Sequence, residues 1–146
     1  MIELRRTYRF CASHRLFRSD WTEQKNLRTF GPASREGGHG HNYRFTVVLH
    51  GAIDSETGRA VDVEALDARV HEAVLKPLDH RNLNVDVPGL LGVVPTAEHI
   101  VMEIFRRVAV AAPPAKLVEV ILQQDEFLSV SCRGESCARV TSSGSA

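Results

Sequence analysis

The sequence predicts an α+β domain, a four-stranded antiparallel sheet with two helices on one face, in the order β-β-α-α-β-β. Three observations predict it. Two long runs near the start alternate apolar and polar residues with period two. Two segments in the middle carry apolar residues at three- and four-residue steps. Two short runs rich in branched apolar residues come last. Strands, then helices, then strands again is the pattern of sheet with helices on one side.

Leu4, Tyr8, Phe10, Ala12 and His14 share one parity, which makes residues 2–14 a first strand with Arg5 and Arg9 on its other face. Residues 15–38 read as a polar loop holding Arg15, Arg18, Lys25, Arg28 and Arg35 against Asp20, Glu23 and Glu36. A loop of that length in a compact domain is more often functional than idle. The second strand runs from about Asn42 to Ala52, with Tyr43, Phe45, Val47 and Leu49 inward. A turn follows at 54–58. Asp62 is placed to cap a helix with Val63, Leu66, Val70 and Val74 on one side, and Pro77 stops it. Residues 78–95 form another long connection. Thr96 caps the second helix, with Ile100, Val101, Ile104, Phe105 and Val108 inward, and Pro113-Pro114 end it. The last strands fall at 116–123 and 127–132. Residues 1–135 are therefore read as one domain. Residues 136–146 are a tail expected to be disordered, since Thr141 to Ala146 include no large apolar side chain.

Composition narrows the function. With 43% hydrophobic residues a core is affordable, and 18 basic residues cancel 18 acidic ones. No global field draws nucleic acid or an anionic membrane, so neither is an expected partner. No apolar segment is long enough to span a bilayer, and the first residues lack the apolar core of a signal peptide. Three cysteines, none in a Cys-x-x-Cys pair, argue for a reducing, cytoplasmic setting. Open sheet edges invite pairing with other copies, so a homo-oligomer is expected.

One stretch carries chemistry. In Gly38-His39-Gly40-His41-Asn42-Tyr43, extending the second strand backwards puts both histidines on one face. If the first two strands pair antiparallel, His14 comes beside them. Three imidazoles with an open position suit a catalytic zinc, whereas structural sites are usually closed by four ligands. Imidazole also suits iron, copper and nickel. A polar strand end is the plainer alternative for an isolated His-x-His.

Four motifs then read together: Phe10-Cys11-Ala12-Ser13-His14-Arg15-Leu16, Gly38 to Tyr43, Leu78-Asp79-His80-Arg81-Asn82-Leu83-Asn84, and Pro95-Thr96-Ala97-Glu98. In this order they resemble the family of 6-pyruvoyl- and 6-carboxy-tetrahydropterin synthases. The resemblance implies the tunnelling fold, subunits joined edge to edge (often a dimer of trimers, hence a homohexamer), and active sites between subunits. It implies Zn2+ on His14, His39 and His41, and 7,8-dihydroneopterin triphosphate as substrate. It also implies that Asp79 and His80 form a relay supporting removal of a proton from carbon, the carboxylate fixing the imidazole tautomer. Read alone, the same two residues would serve as loop polars capping a turn.

Two departures stand out. Synthases of this family carry a catalytic cysteine a few residues before His-x-His, and Thr29 to Gly38 contain none. Ala33 and Arg35 stand near its place, and Cys11 lies on the parity opposite to His14. Glu36 is the one group of the segment able to accept a proton, and some relatives use a glutamate near that point to cleave the side chain to 6-hydroxymethyl-dihydropterin. A solvated loop acid is the plain alternative. The family also anchors the pterin ring with a glutamate after the third strand. Alignment puts Gln124 there, which has one acceptor oxygen for a two-donor pattern. A small register shift presents Glu126 instead, with Thr96 and Glu98 adding contacts. The expectation is a zinc-dependent pterin lyase. The competing expectations are a zinc- and pterin-binding homologue without turnover and a structural zinc domain.

Overall fold

The computed structural model describes residues 1–111, 115–134 and 137. Strand β1 (Ile2–His14) pairs antiparallel with β2 (His39–Gly51) along its full length, from Ile2 opposite Gly51 to His14 opposite His39. β2 also pairs antiparallel with β4 (Lys116–Gln123), which pairs with β5 (Ser129–Arg133). The sheet is five-stranded rather than four-stranded. A two-residue strand, β3 (Arg81–Asn82), lies parallel to Ala12 and Ser13 and gives the order β3-β1-β2-β4-β5. Two polar residues show no periodicity, and long-range main-chain bonds alone define the strand.

Helices cover one face. Helix α2 (Val63–Val70) starts at Asp62, whose side chain accepts from the Ala65 N–H, and α3 (Ala97–Ala111) follows Thr96, whose hydroxyl accepts from the His99 N–H. Their apolar stripes (Leu66, Val70, Val74; Ile100, Val101, Ile104, Phe105, Val108) bury Phe10, Tyr43, Phe45, Val47, Leu49, Val120 and Leu122 of the sheet. This is the face of the even-numbered side chains of β1, so the same layer that builds the core carries His14 to its rim.

Four expectations are corrected. Residues 15–38 are not all loop: helix α1 (Glu23–Phe30) is capped by Thr22 and followed by a 3-10 turn at Gly31–Ser34. It was hidden because it is mostly polar, its order resting on the Thr22 cap, a Trp21–Phe30 ring stack at 5.9 Å and a buried Asn26 that bonds Arg18 through both side-chain ends. Pro77 does not stop α2, which runs on through a π turn (His71–Leu75) and a last turn at Lys76–Leu78. A proline orphans the carbonyl four residues earlier. Here that carbonyl, on Ala73, accepts from Arg107 at 3.1 Å instead. The final strand begins at Ser129, not at 127, because Asp125 accepts the N–H groups of Phe127 and Leu128 in a turn. The three cysteines are not all free: Cys132 and Cys137 form a disulfide, leaving Cys11 as the free thiol among the described residues. Pro113-Pro114 and nearly all of the tail lie outside the described residues.

Candidate metal centre

Period two and the β1–β2 register bring three imidazoles together. His14 and His39 are cross-strand partners, and His41 follows on the same face. Ring centroids are 4.6 Å apart for His14–His39, 4.9 Å for His39–His41 and 5.1 Å for His14–His41. One nitrogen from each lies within 4.8 Å of the other two. Gly38, in the left-handed region at φ 67°, lets the chain enter β2 against the β1 backbone. A Cβ there would meet the His14 carbonyl oxygen at 2.7 Å.

The electrostatics favour the neutral form of His14 and of His41. Burial pushes His14 down to about 4, partly opposed by its hydrogen bond to the Pro95 carbonyl. Burial, with the neighbouring His39, also lowers His41, against the opposite pull of Asp125. Neutral imidazole is the metal-binding form. Nδ1 of His14 lies 2.8 Å from the Pro95 oxygen, which makes it the N–H end and leaves Nε2 with a lone pair facing the other rings. Nε2 of His41 is buried without any hydrogen-bond partner. A buried unpaired nitrogen is rare in a folded protein unless something binds it, so the donor set fits a borderline-soft cation such as zinc.

Around this centre stand residues that sequence reasoning missed. Tyr43 packs its ring 5.4 Å from that of His41, and burial holds its phenol far above the usual range. Its parity with His39 and His41 was the available signal. Asp125, in the β4–β5 turn, is held low by the N–H groups of Phe127 and Leu128 and acts on His41 across the sheet. Gln124 donates its N–H to Leu128 in the same turn, and its residue is half-buried, whereas Glu126 is exposed. β4 meets β2 at Arg44–Gln123, so this turn lies at the imidazole end of the sheet. Thr96 follows Pro95 directly and is half-buried, while Glu98 is exposed in the first turn of α3. Glu36 sits exposed between the 3-10 turn and Gly37, three residues before His39.

Asp79 and His80 occupy the other side of β1. Asp79 Oδ1 accepts the Cys11 N–H at 2.9 Å and lies 3.0 Å from His80 Nδ1, so the carboxylate does not cap a turn. Burial raises its pKa, but the Cys11 N–H and the His80 ring outweigh that and hold it below the ordinary value. His80 is the one non-glycine residue with positive φ among the described residues, at 57°. Such a conformation costs on the order of 1–3 kcal/mol and concentrates at functional sites. Cys11 meets this pair on the face away from His14, where its parity put it: its carbonyl accepts the His80 N–H at 2.7 Å.

A family model described as 6-pyruvoyl tetrahydropterin synthase matches residues 3–135. The 6-pyruvoyl tetrahydrobiopterin synthase of Pongo abelii is 37% identical over 133 residues, covering 91% of this chain and 92% of the relative. Among solved structures, the 6-pyruvoyl tetrahydropterin synthase of Caenorhabditis elegans superposes with a TM-score of 0.85 at 28% identity, over 92% of this chain and 96% of that one. A Plasmodium vivax 6-pyruvoyltetrahydropterin synthase in which a catalytic glutamate is replaced by alanine gives 0.60 at 16% identity, over 90% and 96%. At that identity the likeness is one of fold.

Proposed function

This chain belongs to the 6-pyruvoyl tetrahydropterin synthase family, and from that membership we propose that it is a zinc-dependent lyase acting on 7,8-dihydroneopterin triphosphate, cytoplasmic and assembled as a homohexamer. The observation that carries the reading is the convergence of His14, His39 and His41, one ring nitrogen of each within 4.8 Å of the others, with Nε2 of His41 buried and unpartnered.

His14, His39 and His41 would hold the ion. When bound, it supplies a Lewis acid that makes protons beside coordinated hydroxyls easier to remove. The chain's own groups do the rest. The Pro95 carbonyl fixes the His14 tautomer. Glu36 accepts a proton from carbon in place of the absent cysteine; the glutamate named as catalytic in the Plasmodium vivax synthase gives precedent for the residue type. Asp79 holds His80 with Nδ1 as donor, leaving Nε2 free to take or pass a proton. Thr96, Glu98, Gln124 and Glu126 supply the polar contacts to the pterin ring.

A second reading has its own support. Thr29 to Gly38 lack a cysteine and Glu36 is exposed in the single chain, as in a homologue that binds zinc and pterin without turnover. One experiment separates the two. Purified protein with zinc is incubated with 7,8-dihydroneopterin triphosphate and the products are weighed by mass spectrometry. A pyruvoyl, carboxy or hydroxymethyl pterin supports the lyase and identifies its product class. Bound but unchanged substrate supports the binding homologue.

A further inference from the structure

A cavity of about 340 Å³ opens between α3 and a 3-10 turn at Pro88–Leu90, and it shares no lining residue with the imidazole centre. Small-molecule pockets run from roughly 300 to 1,000 Å³, so it is large enough for a small ligand. Leu90, Leu91, Val93 and Met102 give it apolar walls, and Leu91 and Val93 are exposed. On one side lies the Glu103 carboxylate, 5% exposed, which accepts from Arg107 at 2.6 Å and from Arg106 at 2.7 and 3.0 Å. Gly89 packs so closely on this carboxylate that a Cβ there would collide with it. Arg107 is mostly buried and also satisfies the Ala73 carbonyl, so its place is structural, and it alone balances the charge of Glu103. Arg106 is half exposed and, among the described residues, bonds only to Glu103. It spends two of its five N–H groups there, which leaves three N–H groups and a surplus positive charge beside apolar walls. His99 adds an acceptor. Its Nδ1 lies 2.8 Å from the Val94 oxygen and is the N–H end, so Nε2 keeps a lone pair.

We propose that this cavity binds a small organic acid, an apolar body carrying one carboxylate and a hydroxyl or N–H donor. The carboxylate takes the free N–H groups of Arg106, since a guanidinium suits a planar acceptor with two oxygens. The body lies against Leu90, Leu91, Val93 and Met102, and the donor bonds Nε2 of His99. The surplus guanidinium disfavours a cationic ligand, and a purely apolar one leaves its N–H groups unused. Glu103 does not repel the acid, because Arg107 already offsets its charge. The site goes beyond the lyase reading and stands whether or not the chain converts a pterin.

The test is calorimetric titration of the full zinc-loaded chain with 4-hydroxyphenylacetate, set against tyrosol, the alcohol that lacks its carboxylate. One saturable site per chain is expected for the acid. Tyrosol should bind roughly ten- to a hundredfold more weakly, the usual worth of a hydrogen bond to a charged group. Arg106→Gln is expected to weaken the acid by a similar factor, with tyrosol binding and zinc content unchanged, so that the two ligands come level. A second variant, Leu91→Glu, sits at an exposed position and puts a like charge at the cavity. It should weaken the acid more than tyrosol. Equal affinity of wild type for the two ligands would overturn the proposal. So would failure of the acid to saturate, or an affinity that neither variant changes. Conversion of the pterin triphosphate is measured separately, so the failure of one reading leaves the other in place.

Discussion

The Nε2 atoms of His14 and His39 stand 3.0 Å apart, while the other nitrogen of His14 is tied to the Pro95 carbonyl. The contact follows from register. Residues opposite one another in an antiparallel pair share a face, and a slip of one residue would turn one ring away. The loop before α3 supplies the carbonyl that turns the second nitrogen of His14 inward. The centre thus depends on three separate segments meeting at one sheet end.

Metal analysis tests that dependence directly. Wild type is expected to carry one zinc per chain after dialysis. His41→Ala should lose zinc by well over the roughly 10–100-fold that removal of a mere supporting partner costs, with circular dichroism unchanged. Full occupancy in that variant would remove His41 from the ligand set.

Acid should weaken the clamp between β1 and α2. Asp67 accepts from Arg6 at 2.9 and 2.6 Å and from the Tyr8 hydroxyl at 2.8 Å. The Arg6 hydrogen bonds, chiefly, hold its carboxyl below the ordinary value against the effect of burial. A depressed carboxylate pKa contributes stability that is present above the unfolded value, about 4, and is lost as pH falls through the folded value. Both groups are partly exposed, so the effect is modest. Melting curves from pH 7 to pH 3 should show Asp67→Asn less stable at pH 7 and level with wild type at the acid end. A gap that widens toward low pH would contradict the assignment.

Much of this was legible beforehand, and the exceptions have physical reasons. Period two placed all three imidazoles, and Thr96 and Asp62 marked both major helix starts, because those signals are local. β3 was invisible since its two residues pair only through main-chain bonds to Ala12 and Ser13. The continuation past Pro77 needed Arg107 from another helix to satisfy the Ala73 carbonyl. Parity correctly put Cys11 on the face away from His14, yet it could not show that 79–80 would fold across that face.

The edges of the sheet carry the expectation of assembly. Among the described residues, β3 pairs with β1 only at Ala12 and Ser13, and β5 pairs only with β4. Most of the outer side of β1 therefore offers unpaired main-chain groups, as does that of β5, which in other proteins recruit further strands. Sedimentation should give a species larger than the monomer, six chains on the proposed assembly. A monomer at micromolar concentration would remove the assembly and any site shared between subunits.

Glu36 is the most exposed assignment, in both senses. It is the only carboxylate on the segment leading into His39, and Ala33, Ser34 and Arg35 offer no base beside it. In the single chain it faces solvent, so a role in catalysis requires a second subunit or the substrate itself to cover it. Such covering would desolvate the carboxylate, while a bound cation would favour its charged form. Glu36→Gln keeps the shape and removes the base. It is expected to retain zinc and pterin binding and to lose roughly two to four orders of magnitude in kcat. Unchanged turnover would take the role from Glu36 and assign it to His80, whose own substitution by glutamine would then abolish the reaction alone.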